Sequence, residues 1–158
     1  LMRAWLRECT LEHEKCDQRR SAEDFLPSRL LDIGISNDQW TLRTAEDVKK
    51  EPHQRYVALS YKRGDYRQNF LTESTYPSFE AGISSSKIPI LFKDTASVSR
   101  FMVIRYLWID SMCILQDSTE DWERESAAMC DIYANADFVV SASWAKDPTC
   151  SLFPENNM

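Results

Sequence analysis

Apolar and polar positions alternate through Tyr56-Val57-Ala58-Leu59-Ser60-Tyr61, and the residue types are strand formers, so this spacing predicts a central strand ending near Gly64-Asp65. Tyr106 to Asp110 is a second apolar run that ends on an aspartate, and Asp137 to Ser143 is a third. Between these runs the period lengthens to that of a helix. After Pro89, Asp94 stands where an N-cap would, ahead of Val98, Phe101 and Met102. Ser118 and Asp121 stand three apart like a capping box with Asp in place of Glu, and Glu120, Asp121, Glu123 and Glu125 load the first turns, where the helix dipole favours anions. Trp122, Ser126, Met129, Tyr133 and Ala136 follow at intervals of four, three, four and three, which predicts a sheet-facing stripe on one long helix ending near Asn135. Strand, helix, strand, helix, strand from Tyr56 to Ser143 implies right-handed parallel crossovers, hence an α/β fold with a partly parallel, doubly wound sheet.

Upstream, Ala4 to Lys15 reads as a short helix with Trp5, Leu6, Cys9 and His13 roughly on one face, closed off by Phe25-Leu26-Pro27. Arg29 to Ile35 reads as a strand, Ser36-Asn37-Asp38 as a hairpin turn and Trp40 to Arg43 as its partner, a small pair that forms an antiparallel extension. Glu46 to Gln54 is polar enough to be a connector. Tyr66 to Lys87 reads as an irregular excursion that offers Phe70, Tyr76 and Phe79 to a partner, or else covers a sheet edge with them.

The chain has 158 residues, 43% of them hydrophobic and 11% aromatic, enough for the core of one ordinary domain. A net charge of -6 gives no overall electrostatic footprint for nucleic acid or an anionic membrane, although a local basic patch stays open. Runs such as Phe138-Val139-Val140 are too short to span a bilayer, and Leu1 to Lys15 has no signal-peptide core. Five cysteines at irregular spacing (Cys9, Cys16, Cys113, Cys130 and Cys150) point to reduced thiols and a cytoplasmic location. A start at Leu1 is expected of a piece of something longer.

The candidate chemistry centres on Tyr106 to Asp117, because the carboxyl ends of strands in an open α/β sheet are where ligands are usually found. Cys113 is a nucleophile candidate, since a thiolate near a helix N-terminus is stabilised, or else a small apolar residue packed under the loop. The only histidines, His13 and His53, lie far upstream and supply no evident base for it. Gln116 would orient loop backbone or a ligand amide. Cys9, His13 and Cys16 share one helical face and offer three zinc ligands where a structural site wants four; Cys150 or His53 would have to complete it, and simple packing is the alternative. Cys130, inside the long helix, reads as core. With only Gly34, Gly64 and Gly82, the chain has no G-x-G-x-x-G motif and no P-loop, which counts against a Rossmann dehydrogenase.

Several of these segments together resemble the heterokaryon incompatibility (HET) domain of filamentous fungi. They are Tyr56-Val57-Ala58-Leu59-Ser60-Tyr61 with Gly64-Asp65, Tyr106 to Asp117, and Met129-x3-Tyr133-Ala134-x-Ala136, with Trp5-Leu6-x2-Cys9-x3-His13-x2-Cys16 and Leu26-Pro27-x-Arg29-Leu30 similar to the lead-in of such domains. The resemblance implies residues 1–45 as a helical lead-in with the strand pair and 46–158 as a HET-like α/β domain, expected to continue past the end of this chain. The expected layout is like that of Toll/interleukin-1 receptor (TIR) and flavodoxin-like domains. Departures from the family pattern mark a divergent member with weakened activity: Arg63 stands where a Trp is usual before Gly64, Leu91-Phe92 replaces Leu-Pro, Asp94-Thr95 replaces Asp-Ala, and Met102-Val103 replaces Leu-Gly.

What the resemblance implies is an effector of non-self recognition that triggers regulated cell death. Two classes of action stay open, a signalling module that associates with itself or with protein partners, and a TIR-like enzyme that cleaves NAD as its substrate. The enzyme would need a carboxylate to stabilise an oxocarbenium-like ribosyl centre. Asp110, Glu125 and Asp121 are the candidates, with loop capping, a solvated helix face and helix capping as their respective structural alternatives. Ser60, Gly64, Asp65, Gln116 and Asp117 would line the ligand cleft. No resident cofactor is implied, and zinc is not favoured.

Overall fold

The computed structural model describes residues 1–13, 25–34, 38–52 and 54–153. Helix α1 (Met2–Glu12) leads in, followed by β1 (Arg29–Asp32), β2 (Gln39–Thr44), α2 (Ala45–Lys49), β3 (Tyr56–Tyr61), α3 (Tyr76–Ala81) and β4 (Ile83–Ser84). Then come α4 (Ile90–Phe101), β5 (Tyr106–Trp108), α5 (Asp110–Cys113), α6 (Thr119–Ala127), α7 (Met129–Asn135) and β6 (Phe138–Ala142). The strands form one six-stranded mixed sheet in the order β4-β2-β1-β5-β3-β6. β3 runs parallel to both β5 and β6, whereas β1 is antiparallel to β5 and β2. The α/β class and the parallel centre agree with the sequence pattern. Among the described residues no helix is long and apolar enough to cross a membrane.

Register explains the core. Leu42, Leu31, Leu107, Val57 and Phe138 stand side by side across five strands, so the sheet carries a continuous apolar row. Side chains alternate between faces along each strand, and the two faces take different helices. On one, Phe92 of α4 meets Tyr61 edge to face at 5.2 Å between ring centroids. On the other, Tyr133 of α7 meets Trp108 at 5.6 Å, and the Tyr56 hydroxyl donates to Ile132 O at 2.5 Å. The buried face of α4 carries Leu91, Phe92, Thr95, Ala96 and Ser99, a helical spacing in which both hydroxyls are satisfied by the backbone one turn back (Thr95 to Leu91 O, 2.8 Å; Ser99 to Thr95 O, 3.0 Å).

Several elements differ from the sequence expectation. The first helix ends at Glu12, with Trp5 and His13 exposed rather than on a packed face; Cys16 and His53 lie outside the described residues, as does most of the expected turn at Ser36-Asn37-Asp38. The supposed connector contains α2, which Thr44 caps by accepting from Asp47 N–H. The excursion 66–87 is not wholly irregular, since it holds α3, the edge strand β4 and a 3-10 turn; Phe79 is buried there, and Phe70 and Tyr76 are half-buried. Asp94 does not cap α4, which starts at Ile90; its Oδ2 instead accepts from Ser151 Oγ (2.5 Å) and Leu152 N (2.9 Å).

The largest correction concerns the long helix. It is two helices divided at Ala128, and its first half turns Asp121 and Glu125 inward while Trp122 is 52% exposed. Met129, Tyr133 and Ala136 do pack on the core, but Cys130 is exposed. A buried arginine beneath the first half sets this orientation, as described below.

Helix α4 ends in a Schellman arrangement. Ile104 N–H donates to Ser99 O and Val103 N–H to Arg100 O, both at 2.9 Å, and Val103 takes the left-handed conformation at φ 61°. This is the position where the resembled family carries glycine. A β-branched residue is strained there, so Val103→Gly is expected to stabilise the fold by about 1 kcal/mol despite glycine's greater chain entropy. Urea unfolding monitored by circular dichroism checks this; an unchanged or lowered midpoint would show that the strain is relieved elsewhere.

Candidate functional site

The carboxyl ends of the parallel strands converge on the exit of β3 (Lys62 to Gly64), on α5 and the turn after it, and on the loop beyond β6. Antiparallel pairing brings the first residue of β1, Arg29, to the same end. Its Nε donates to Cys113 O at 2.7 Å, and its Nη2 pairs with Asp121 Oδ2, both side chains being almost fully buried. The same Asp121 oxygen accepts from Leu115 N–H at 2.8 Å, while Oδ1 pairs with Arg124. Burial alone would raise the Asp121 pKa. The hydrogen bonds from Arg29 and Leu115 and the attraction of Arg29 and Arg124 outweigh it and hold the carboxyl below its ordinary value. Glu125, one turn on, is 2% exposed, with Oε1 at 3.4 Å from Arg124 Nε. Neither acid lies on a solvated face, and Asp121 serves as a buried counter-ion rather than chiefly as a cap.

Asp110 opens α5 at the end of β5. Its Oδ1 accepts from Ser111 N–H at 2.6 Å, and its Oδ2 lies 3.9 Å from Arg63 Nη2, with the side chain 35% exposed. The Arg63 guanidinium also stands over the Phe70 ring at 4.7 Å. The Tyr61 hydroxyl donates to Ser111 Oγ at 2.8 Å; burial first, then the Asp110 charge, push this phenol far above its usual pKa, so it is a neutral donor. Cys113 is fully buried, and that burial pushes its thiol up to about 12. It sits in the core beneath the turn.

Gln116 Nε2 donates to Ile114 O (2.8 Å) and Asp110 O (3.3 Å), and Asp117 accepts Glu73 N–H on both oxygens at 3.1 Å. With Leu71 N–H on Ser111 O and Gln116 N–H on Leu71 O, these bonds stitch the 71–73 segment to the turn. Gly64 has φ 56°, and a Cβ there would lie 2.9 Å from Lys146 O, so the β3 exit is pressed against the loop after β6. Ser60 is exposed beside Ser141, and Asp65 is exposed.

The fold thus gathers Asp110, Cys113, Gln116 and Asp117 around one turn, with Asp121 and Glu125 behind it, and leaves Ser60 and Asp65 on the surface. Cys9 is half-buried and His13 exposed; among the described residues no group of three His, Cys, Asp or Glu side chains could hold a metal. Sequence reasoning missed Arg29, Tyr61 and Arg124 as members of this cluster. The available signal for Arg29 was a lone charge opening the apolar strand Arg29-Leu30-Leu31.

A mixed sheet with a parallel centre and helices on both faces defines an α/β module. A family profile described as heterokaryon incompatibility protein (HET) matches residues 56–157, and the chain belongs to that family. No curated protein and no solved structure matches it.

Two outcomes follow from the buried groups. Asp121→Asn, which leaves the Arg29 charge buried without its partner, is expected to cost about 3–5 kcal/mol in denaturant unfolding. A lowered native pKa means that the stabilisation from this carboxylate is fully present above the unfolded value of about 3.9 and is lost as pH falls through the native one. The acid limb of a melting-temperature profile should therefore be shallower in the variant. Iodoacetamide labelling at mildly alkaline pH, mapped by mass spectrometry, should modify the exposed Cys130 and spare Cys113 until the chain is unfolded; rapid native labelling of Cys113 would contradict its burial.

Proposed function

We propose that this chain is an effector module of fungal non-self recognition, acting in the cytoplasm to trigger regulated cell death through association with protein partners or with further copies of itself. The observation that carries this reading is the engagement of the carboxylates at the carboxyl end. Asp121 and Glu125 are buried against Arg29 and Arg124, and Asp110 is held by its own turn and faced by Arg63. A group that must stabilise a developing ribosyl cation acts best in a cleft that admits the ribose, and here Gly64 abuts the Lys146–Asp147 backbone. Beside that loop Trp144, whose Nε1 donates to Leu152 O at 3.1 Å, and Phe153 are about half exposed, as association surfaces require.

One observation favours a second reading, cleavage of NAD in a TIR-like layout. Asp110 keeps a third of its surface at the end of a parallel strand, and Arg63 beside it would suit a diphosphate. Light scattering of the purified chain across a concentration series, run beside a nicotinamide-release assay on NAD, separates the two. Association weakened by Trp144→Ser, without nicotinamide release, is the expected result. A monomer at every concentration, releasing nicotinamide that Asp110→Ala abolishes, would replace the first reading with the second.

A further inference from the structure

The opposite end of the sheet is built differently. Arg55 precedes β3, Arg105 precedes β5, Gly34 follows the antiparallel β1 and Arg100 lies in the last turn of α4, so all four meet at the amino ends of the parallel strands. Here a cavity of about 370 Å³ opens, within the roughly 300–1,000 Å³ range of small-molecule sites. Its walls include Val103, Ile104 and Tyr106. Arg55 is shared with an adjoining cavity of about 420 Å³ beneath α1, which Arg3 and Arg7 also line. Among the described residues the two cavities are together lined by five arginines and a single acid, Glu51, in a chain whose net charge is -6.

Not every arginine there is open to a ligand. Arg105 is engaged by both oxygens of Asp32 (2.8 and 2.7 Å), with Glu51 at 3.9 Å, and Arg3 is engaged by Phe101 O. Arg55 uses only Nε, on Asp137 Oδ2 at 2.5 Å; among the described residues its terminal nitrogens and the whole Arg7 guanidinium make no hydrogen bond. Arg100 donates to Ile33 O (2.7 Å) and Gly34 O (3.2 Å), which fixes its plane at the cavity wall. A second observation is independent of charge. Tyr106 is only 2% exposed and lines the cavity, and no hydrogen bond from a described residue reaches its hydroxyl. The hydroxyl keeps its solvent contact at the cavity and can donate to a bound acceptor oxygen.

We propose that this cavity binds a small phosphate-bearing organic anion, its phosphates held by the Arg55 guanidinium and by the Tyr106 hydroxyl beside the fixed charge of Arg100, and its body resting on Val103 and Ile104. Guanidinium forks match phosphate oxygens in pairs, and the adjoining arginines extend the cradle for a second phosphate. The site is separate from the Asp110 turn, at the other end of the same strands.

Calorimetric titration with adenosine diphosphate, pyrophosphate and adenosine, each at low and raised salt, tests it. Adenosine diphosphate should bind most tightly, with salt-weakened affinity, and Arg55→Gln should loosen it at least about tenfold. Val103→Asp is the fold control, because an exposed left-handed position tolerates Asp better than Val. It should keep or raise the melting temperature while loosening the diphosphate by a similar factor. Tyr106→Phe should weaken binding without changing its salt dependence. Absence of heat with all three probes at about 5 mM, or binding left unchanged by both Arg55→Gln and Val103→Asp, would overturn the assignment. Equal affinity for pyrophosphate and adenosine diphosphate would overturn the role given to Val103 and Ile104.

Discussion

The ion pair between Arg29 and Asp121 is the contact on which the carboxyl end of the sheet depends. Each charge would cost several kcal/mol to bury alone, and the pair is tolerable because further hydrogen bonds hold both partners. Arg29 takes Cys113 O and Asp121 takes Leu115 N–H, so one pair joins β1, the turn after α5 and helix α6. Those backbone groups would otherwise be unpaired in the interior. Once Asp121 must point inward, Glu125 follows one turn later and Trp122 is carried to the surface. The helix breaks at Ala128, and its second half lays Ile132 and Tyr133 on Tyr56 and Trp108.

The antiparallel β1 gives the sheet its two unlike ends. It enters beside the carboxyl end of β5 with a buried arginine and leaves beside the amino end with Gly34 and Asp32, which anchors Arg105. At the first end, loops close over the strands: Gly64 meets the Lys146–Asp147 backbone, and Gln116 and Asp117 fasten the 71–73 segment. At the second end Arg100 holds Ile33 O and Gly34 O and Asp32 holds Arg105, and a cavity lined by arginines opens beside these bonds. Ligands in open α/β sheets usually lie at the carboxyl ends; among the described residues the arginine-lined cavity lies at the opposite end.

Legibility followed the physics of each segment. Tyr56–Tyr61 and Phe138–Ala142 were readable because short runs rich in β-branched and aromatic residues have few alternatives; the first is buried on both faces through Leu59, as a central parallel strand is, and only the second alternates. Val103 was noticed as a departure from a family pattern, and its left-handed φ gives that departure a physical meaning. The stripe through Trp122 misled because hydrophobic periodicity scores an aspartate as a surface residue and cannot see its buried arginine. The excursion 66–87 concealed α3 and β4, since a short helix and a two-residue edge strand take their stability from packing against β2 rather than from local propensity. Asp110, Gln116 and Asp117 lie close in sequence and come together at one turn, but their partners Arg63, Ile114 O and Glu73 N–H come from backbone geometry and distant segments.

Local pattern by itself determined the strands of the parallel centre, the helix between them and the family, because residue type, period and motif spacing are properties of neighbouring positions. Tertiary structure decided which face of α6 is buried, that Cys113 is core, that the strand pair joins the main sheet through β5, and that arginines scattered from Arg3 to Arg105 line adjoining cavities at one end. Each of these depends on charges and backbone groups brought together from distant parts of the chain, where burial and pairing override local preference.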